Sequence, residues 1–210
     1  MSVIIFLLIV ICGLVLYLIF KSLIRQSKNP SGKIGTWMMR IWNRAYLPMV
    51  SWTLNLVNRP TPKKILDIGV GNGASTNYLH QYFPTSQIYG IDCSKTAILE
   101  ASKHYSASAT FEEMSIDKTK YPSDFFDLIF AFQTHFHWEQ LDQALMEVER
   151  ILALSGECWI ACERSKVKYY LPDFAEDGKF QSYLASLGLD LVASHQTKAW
   201  ICYRIMKLSS

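Results

Sequence analysis

The chain has 210 residues, 50% of them hydrophobic and 19% charged, which excludes a wholly disordered polypeptide and supplies apolar material for one packed domain with little room for a second. Lys and Arg number 21 against 18 Asp and Glu, a net charge of +3 that points neither to a nucleic-acid binder nor to an enzyme of acidic substrates. The distribution is more informative than the sum. No acidic residue precedes Asp67, while Lys21, Arg25, Lys28, Lys33, Arg40, Arg44, Arg59, Lys63 and Lys64 all do, so a basic, apolar front precedes an acidic body.

From residue 3 to residue 20 no side chain is charged or strongly polar. As a helix rising about 1.5 Å per residue the run is about 27 Å long, close to the hydrocarbon thickness of a bilayer. A cleaved signal peptide would want basic residues before the run and a small-residue cleavage site after it, and only Met1 and Ser2 precede it. A core helix would want a polar stripe, and Cys12 and Gly13 are the only breaks in a surface apolar all round. Residues 1–28 are therefore expected to be a transmembrane anchor with a basic flank, Lys21, Arg25 and Lys28 placing the rest of a single-pass protein on the cytoplasmic side.

Residues 29–62 are expected to form a linker and an aromatic helical cap. Pro30 and Gly32 punctuate Asn29-Pro30-Ser31-Gly32, and Trp37, Met38, Met39, Trp42, Tyr46 and Trp52 follow, with Arg40 and Arg44 one turn apart. Pro48 is expected to divide this segment into two short helices, since proline suits a helix's first turn but not its interior. Covering the body's core is the favoured role, with Trp42 and Tyr46 packed there in preference to facing a pocket; an interfacial or substrate-gating helix is the alternative.

From Lys64 onward short β-rich runs alternate with helical stretches, the pattern of an α/β fold with a parallel sheet. Strands are predicted over 65–68, 87–91, 109–112, 126–130, 158–161, 189–194 and 200–206, and helices over 75–82, 95–104, 139–154 and 176–187. Only residues 196–199 separate the last two strands, so these must pair as an antiparallel hairpin. Cys93, Cys158, Cys162 and Cys202 include no C-x-x-C pair, which indicates neither a zinc site nor a redox couple.

The chemistry concentrates in Ile65-Leu66-Asp67-Ile68-Gly69-Val70-Gly71-Asn72-Gly73-Ala74-Ser75-Thr76, a buried strand, a glycine turn and a helix start with Ser75 and Thr76 as possible caps. Such a turn brings backbone N–H groups close to a ligand, and Asp92, at the end of the next strand, is placed to accept both hydroxyls of a ribose. Gly69, Gly71 and Ala74 also satisfy a nicotinamide-type G-x-G-x-x-A pattern, which keeps an NAD-dependent oxidoreductase open. Asp67 argues against it, because an acid before the first glycine would meet a ligand's positive charge and repel a pyrophosphate.

Leu66-Asp67-Ile68-Gly69-Val70-Gly71-Asn72-Gly73 resembles the first motif of the class I S-adenosylmethionine-dependent methyltransferases, acid-x-Gly-x-Gly-x-Gly. The resemblance runs from about Lys63 to about Ala161. Ile88-Tyr89-Gly90-Ile91-Asp92-Cys93-Ser94 is similar to the second motif, and Phe111 to Ile129 to the segment that leads from the adenine contact into the fourth strand. Met38-Met39, Asn43 and Trp52 resemble the helix that precedes the fold in small bacterial methyltransferase-domain proteins of unknown acceptor. Two departures stand out: Ser115 where many relatives carry Asp, and Ser155-Gly156-Glu157 where they carry Pro-Gly-Gly.

The resemblance implies a Rossmann-like, seven-stranded methyltransferase sheet over residues 63–210, ending in the antiparallel hairpin and preceded by one transmembrane helix. It implies S-adenosyl-L-methionine as cofactor, with Asp67, Gly69, Gly71 and Gly73 near the methionine part, Asp92 at the ribose, Ser115 and Ile116 at the adenine, and Gln133 beside the methyl-bearing sulfonium. His135 and His137, after the fourth strand, are the candidate catalytic bases for a hydroxyl or amine acceptor. Packing of the loop against the helix that follows is the favoured role for both, and a metal reading of His-x-His with Glu139 is disfavoured. Glu163 is a candidate acceptor contact, with an exposed surface acid as the equal alternative. The expected function is methyl transfer to a small-molecule or lipid-associated acceptor at a membrane, with no nucleic-acid partner; a non-catalytic cofactor-binding scaffold is the alternative.

Overall fold

The computed structural model describes residues 2–28, 30–174 and 176–208. Two long helices come first, α1 (Ser2–Lys28) and α2 (Gly32–Leu54). Then β1 (Lys64–Ile68), α3 (Ala74–Tyr82), β2 (Gln87–Asp92), α4 (Lys95–Tyr105), β3 (Thr110–Glu113) and β4 (Phe126–Phe132) follow. After a 3-10 turn at His135–His137 come α5 (Leu141–Ile151), β5 (Leu152–Glu163), α6 (Arg164–Tyr170), α7 (Asp177–Ser186), β6 (Leu189–Gln196) and β7 (Trp200–Lys207).

The strands form one seven-stranded sheet in the order β3-β2-β1-β4-β5-β7-β6. β1 to β5 run parallel, and β7 lies antiparallel between β5 and β6, its pairing with β6 being the one that the short 197–199 connection requires. Alternation along the strands divides the core in two. Leu66, Ile68, Ile129 and Ala131 face α5 and α7, while Ile65, Leu128, Phe130 and Phe132 face α2 and α3.

Three expectations are corrected. Pro48 does not divide the cap: α2 runs unbroken with the proline inside. An interior proline costs about 3 kcal/mol, but Met49, Val50 and Leu54, just beyond it and at most 2% exposed, pack with Ile65, Leu79 and Phe83. At about 1.5–3 kcal/mol for each buried side chain, that packing offsets the lost hydrogen bond. The helix predicted over 139–154 ends at Ile151, because Leu152 pairs with Phe126 and opens a twelve-residue strand.

The linker is the third correction. Asn29 lies outside the described residues, but Pro30 is buried and its carbonyl accepts the Ser94 hydroxyl. The Gln26 amide oxygen accepts the Ser31 N–H at 2.7 Å, and its Nε2 donates to the Ser31 hydroxyl at 3.1 Å. A Cβ on Gly35 would lie 2.8 Å from the Pro30 carbonyl carbon. The junction of α1 and α2 is thus a packed corner.

α1 itself packs little. Its large apolar side chains from Val3 to Phe20 are 48–70% exposed, and the stretch Val3–Gln26 is long and apolar enough to cross a membrane. The two ends of the chain therefore differ in what they bury. Phe130→Ala, a deletion in the central strand against α2 and α3, is expected to cost about 3–5 kcal/mol in a denaturant titration of the micelle-solubilised protein.

Candidate functional site

A cavity of about 540 Å³ opens beyond the C-terminal ends of β1, β2 and β4. Here the helix connections diverge to opposite sides of the sheet, where open α/β sheets bind ligands. The volume falls within the usual range for a small-molecule site.

The floor is the turn after β1. Gly69, Gly71 and Gly73 have φ of +75°, +54° and +85°, the left-handed region in which other residues are strained. A Cβ on Gly69 would lie 2.2 Å from the Thr134 methyl group, so the turn closes against β4 only with glycine there. The Gly69 and Val70 N–H groups donate to the Ile91 carbonyl at 2.8 and 3.2 Å, fixing the turn to the end of β2.

Asp92 holds that junction. Its Oδ2 accepts the Gly71 N–H at 3.0 Å and its Oδ1 the Ser94 N–H at 2.8 Å. The carboxylate is 9% exposed, and burial raises its pKa from 3.8 to about 6 against the lowering effect of the two N–H groups. Each oxygen carries a further lone pair, which suits a pair of vicinal hydroxyls.

Asp67 stands elsewhere. It is 1% exposed beneath the turn and does not line the cavity; its Oδ2 accepts the Ser75 hydroxyl at 2.8 Å and the Thr76 hydroxyl at 2.7 Å. These hydroxyls are therefore not caps, as the sequence had led one to expect: Gly73 occupies the N-cap of α3. Burial, with Asp92 as a lesser like-charge neighbour, also raises Asp67 to about 6. Gly73 likewise packs away from the cavity, where a Cβ would meet Ala101 of α4 at 2.9 Å.

Ser115, Ile116 and Gln133 line the cavity with Gly69, Gly71 and Asp92. The Ser115 hydroxyl donates to the Asp117 carboxylate, so its lone pairs are left to accept a hydrogen bond from an amino group. Gln133, at φ +60°, accepts the Glu163 N–H at 3.3 Å through Oε1, while its buried Nε2 has no partner among the described residues. The cradle, the carboxylate and the orphaned amide fit an adenosyl ligand with a charged tail.

The two histidines separate. His137 lines the cavity, whereas His135 is 3% exposed, outside the lining, and held neutral by burial with a pKa lowered to about 3. Glu163 is also off the wall and pairs with Lys166 at 3.3 Å. Among the described residues no three His, Cys, Asp or Glu side chains gather as a metal ion would need.

The roof comes from the front of the chain. Met38, Met39, Trp42 and Tyr46 of α2 line the cavity, and so do Leu23 and Ile24 at the end of α1. Trp42 and Tyr46 thus face the cavity rather than the core. Asn43 donates to Asn72 of the glycine turn, and Lys166 donates to the Tyr46 hydroxyl at 3.1 Å, so the middle of the lining stretch of α2 is tied to that turn and to α6. Lys166 carried no sequence signal, because the short helix α6 that presents it was not foreseen.

Residues 66–160 match the family model described as "Methyltransferase domain". A malonyl-[acyl-carrier protein] O-methyltransferase of Legionella pneumophila is 33% identical over 98 residues, 45% of this chain and 34% of that protein. Phosphoethanolamine N-methyltransferase 3 of Arabidopsis thaliana is 28% identical over 141 residues, 66% of this chain and 27% of that protein. The matched part thus spans about a third or less of these relatives. A solved putative S-adenosyl-L-methionine-dependent methyltransferase of Methanococcus maripaludis shares the fold, with TM-score 0.69 and 21% identity over 85% of this chain and 94% of that one.

Asp92→Ala and Gly71→Val are each expected to abolish S-adenosylhomocysteine binding in titration calorimetry while leaving the far-ultraviolet dichroism unchanged. Affinity should fall below about pH 6, where Asp92 takes up a proton and can no longer accept both hydroxyls. Ligand-free stability should run the other way. Asp67 and Asp92 bind protons more tightly folded than unfolded, so melting temperature rises as pH falls from about 6 toward the ordinary carboxylate value of 3.8, and Asp67→Asn flattens the slope. The matched motifs, the sheet order and the cradle agree: residues 66–160 carry a methyltransferase domain, set in the fold of the solved S-adenosylmethionine-dependent methyltransferase.

Proposed function

We propose that the protein is a membrane-anchored methyltransferase that moves the methyl group of S-adenosylmethionine to a lipid-associated acceptor reaching the cavity from the bilayer. The observation that carries this reading is the roof: Leu23 and Ile24 belong to the apolar helix α1 and line the same cavity as Asp92 and Gln133. An acceptor dissolved in the bilayer would meet that wall without crossing water, and tethering raises its effective concentration. The basic residues that follow the span favour the cytoplasmic face.

When bound, the cofactor supplies an electrophilic methyl group; the chain's own residues position and desolvate. Asp92 would hold the ribose hydroxyls, Ser115 and Ile116 would meet the adenine, and Gly69 and Gly71 would leave room for the methionine part. Gln133 orients groups at the reacting end through its free Nε2. Methyl transfer needs in-line alignment above all, so a cavity closed by Met38, Met39 and Trp42 supplies much of the rate by excluding water and fixing the acceptor. His137, which lines the wall, is the candidate base for an acceptor O–H or N–H, and His135, neutral and enclosed, is left to pack the turn.

The test uses the full chain in bilayers with methyl-labelled S-adenosylmethionine and total membrane lipid. Label entering the organic phase, and absent with Asp92→Ala, supports the reading; label confined to water-soluble products or to protein overturns the acceptor class. His137→Gln is expected to lower turnover about 10²-fold with S-adenosylhomocysteine affinity unchanged. His135→Gln should instead lower the melting temperature.

A further inference from the structure

The outer face of α2 is unlike that of an ordinary amphipathic helix. At about 100° per residue, Gly35, Met38, Met39, Val50 and Leu54 turn inward and are buried. Lys33, Ile34, Trp37, Arg40, Ile41 and Arg44 fall on the opposite side within an arc of about 120°. Ile34, Trp37 and Ile41 are 60%, 63% and 46% exposed, so the helix is apolar on both faces. The arc is ordered: Lys33, Arg40 and Arg44 make its basic edge, Ile34 and Ile41 its apolar edge, and Trp37 lies between them.

We propose that this face of α2 rests on an anionic bilayer surface, with the isoleucines and Trp37 in the headgroup boundary and Lys33, Arg40 and Arg44 against lipid phosphates. Three observations select this occupant. First, only three residues separate α2 from the end of α1, across a corner fixed by Gln26, Pro30 and Ser31, so on the membrane reading of α1 it stands at the bilayer surface. Second, none of the three cations forms an ion pair among the described residues. No acidic residue occurs before Asp67 to oppose them. Third, the apolar surface continues onto α4 beside it, where Leu99 is 60% exposed. Glu100 is the acid that borders this groove, and His104 lies 3.7 Å from its carboxylate.

The chemistry is that of an interfacial helix. Aromatic and branched side chains gain from leaving water at the acyl boundary, while each cation gains from the negative surface potential within a Debye length. The inner face of the same helix roofs the cavity, so docking would set the cavity mouth at the depth of lipid headgroups. The inference rests on the anchoring of α1 and goes beyond it, because a tether alone leaves the orientation of the body free.

The test reconstitutes the full chain in vesicles of phosphatidylcholine alone or with about 30 mol% phosphatidylglycerol. Trp37 fluorescence is isolated as the difference between the wild type and Trp37→Phe, and quenched by brominated lipid or by aqueous acrylamide. In anionic vesicles the Trp37 signal should be quenched by brominated lipid and shielded from acrylamide several-fold relative to neutral vesicles. The triple variant Lys33→Glu, Arg40→Glu, Arg44→Glu should lose that shielding while still floating with the vesicles and binding S-adenosylhomocysteine. Equal acrylamide quenching in both vesicle types, with the chain still carbonate-resistant in the membrane, overturns the docking and leaves the anchor standing. Failure to float at all overturns both.

Discussion

The carboxylate of Asp92 joins the two backbone segments on which the site depends. One oxygen takes the N–H of Gly71, in the turn that follows β1, and the other takes that of Ser94, in the turn that follows β2. The parallel register that pairs Ile68 with Ile91 brings these turns side by side, and the Ile91 carbonyl holds two more N–H groups of the first turn. A charge-assisted pair of hydrogen bonds therefore keeps the glycine cradle open at the depth where a ribose would lie. Burial makes the carboxylate harder to ionise, so the same group that organises the cradle also makes it sensitive to acid.

Beneath the cradle a second carboxylate serves packing. Asp67 is enclosed by the start of α3 and bound by two of its hydroxyls, so it fastens that helix to the end of β1. The division between Asp67 below and Asp92 beside the cavity explains how two buried acids coexist. Each has its own donors, and neither depends on the other for neutralisation.

The front of the chain reaches the site through α2. Beyond Pro48 its end is ordinary core, with Met49, Val50 and Leu54 packed on the sheet; before it, the inner face becomes the cavity roof and the outer face stays apolar and basic. One element thus carries a buried inner face that covers the body and an exposed outer face of apolar and basic side chains. The unbroken course of α2 matters for the same reason, since a break at Pro48 would have uncoupled the roof from the core that anchors it.

Much of this was legible in the sequence because it rests on local rules. Alternation and length identified the strands, the 196–199 connection required an antiparallel last pair, and the spacing of Asp67, Gly69, Gly71, Gly73 and Asp92 marked the ligand turn. What resisted was decided by contacts between residues far apart in the chain. Leu152 suits helix and strand alike, and pairing with Phe126 settled it. Asp67 and Asp92 are the same residue type at the ends of neighbouring strands, yet only the path of the turn puts one in the cavity and the other under it. His135 and His137 are two residues apart, and a single 3-10 turn sends one into the core and the other to the wall. The sequence by itself determined the methyltransferase-type motif, the cradle and the apolar first helix, since each is a short-range pattern of residue type and spacing. Only the tertiary structure decided that Leu23, Ile24, Trp42, Tyr46 and Lys166 share one cavity with Asp92, because no local pattern reports which distant surfaces a packed chain brings together.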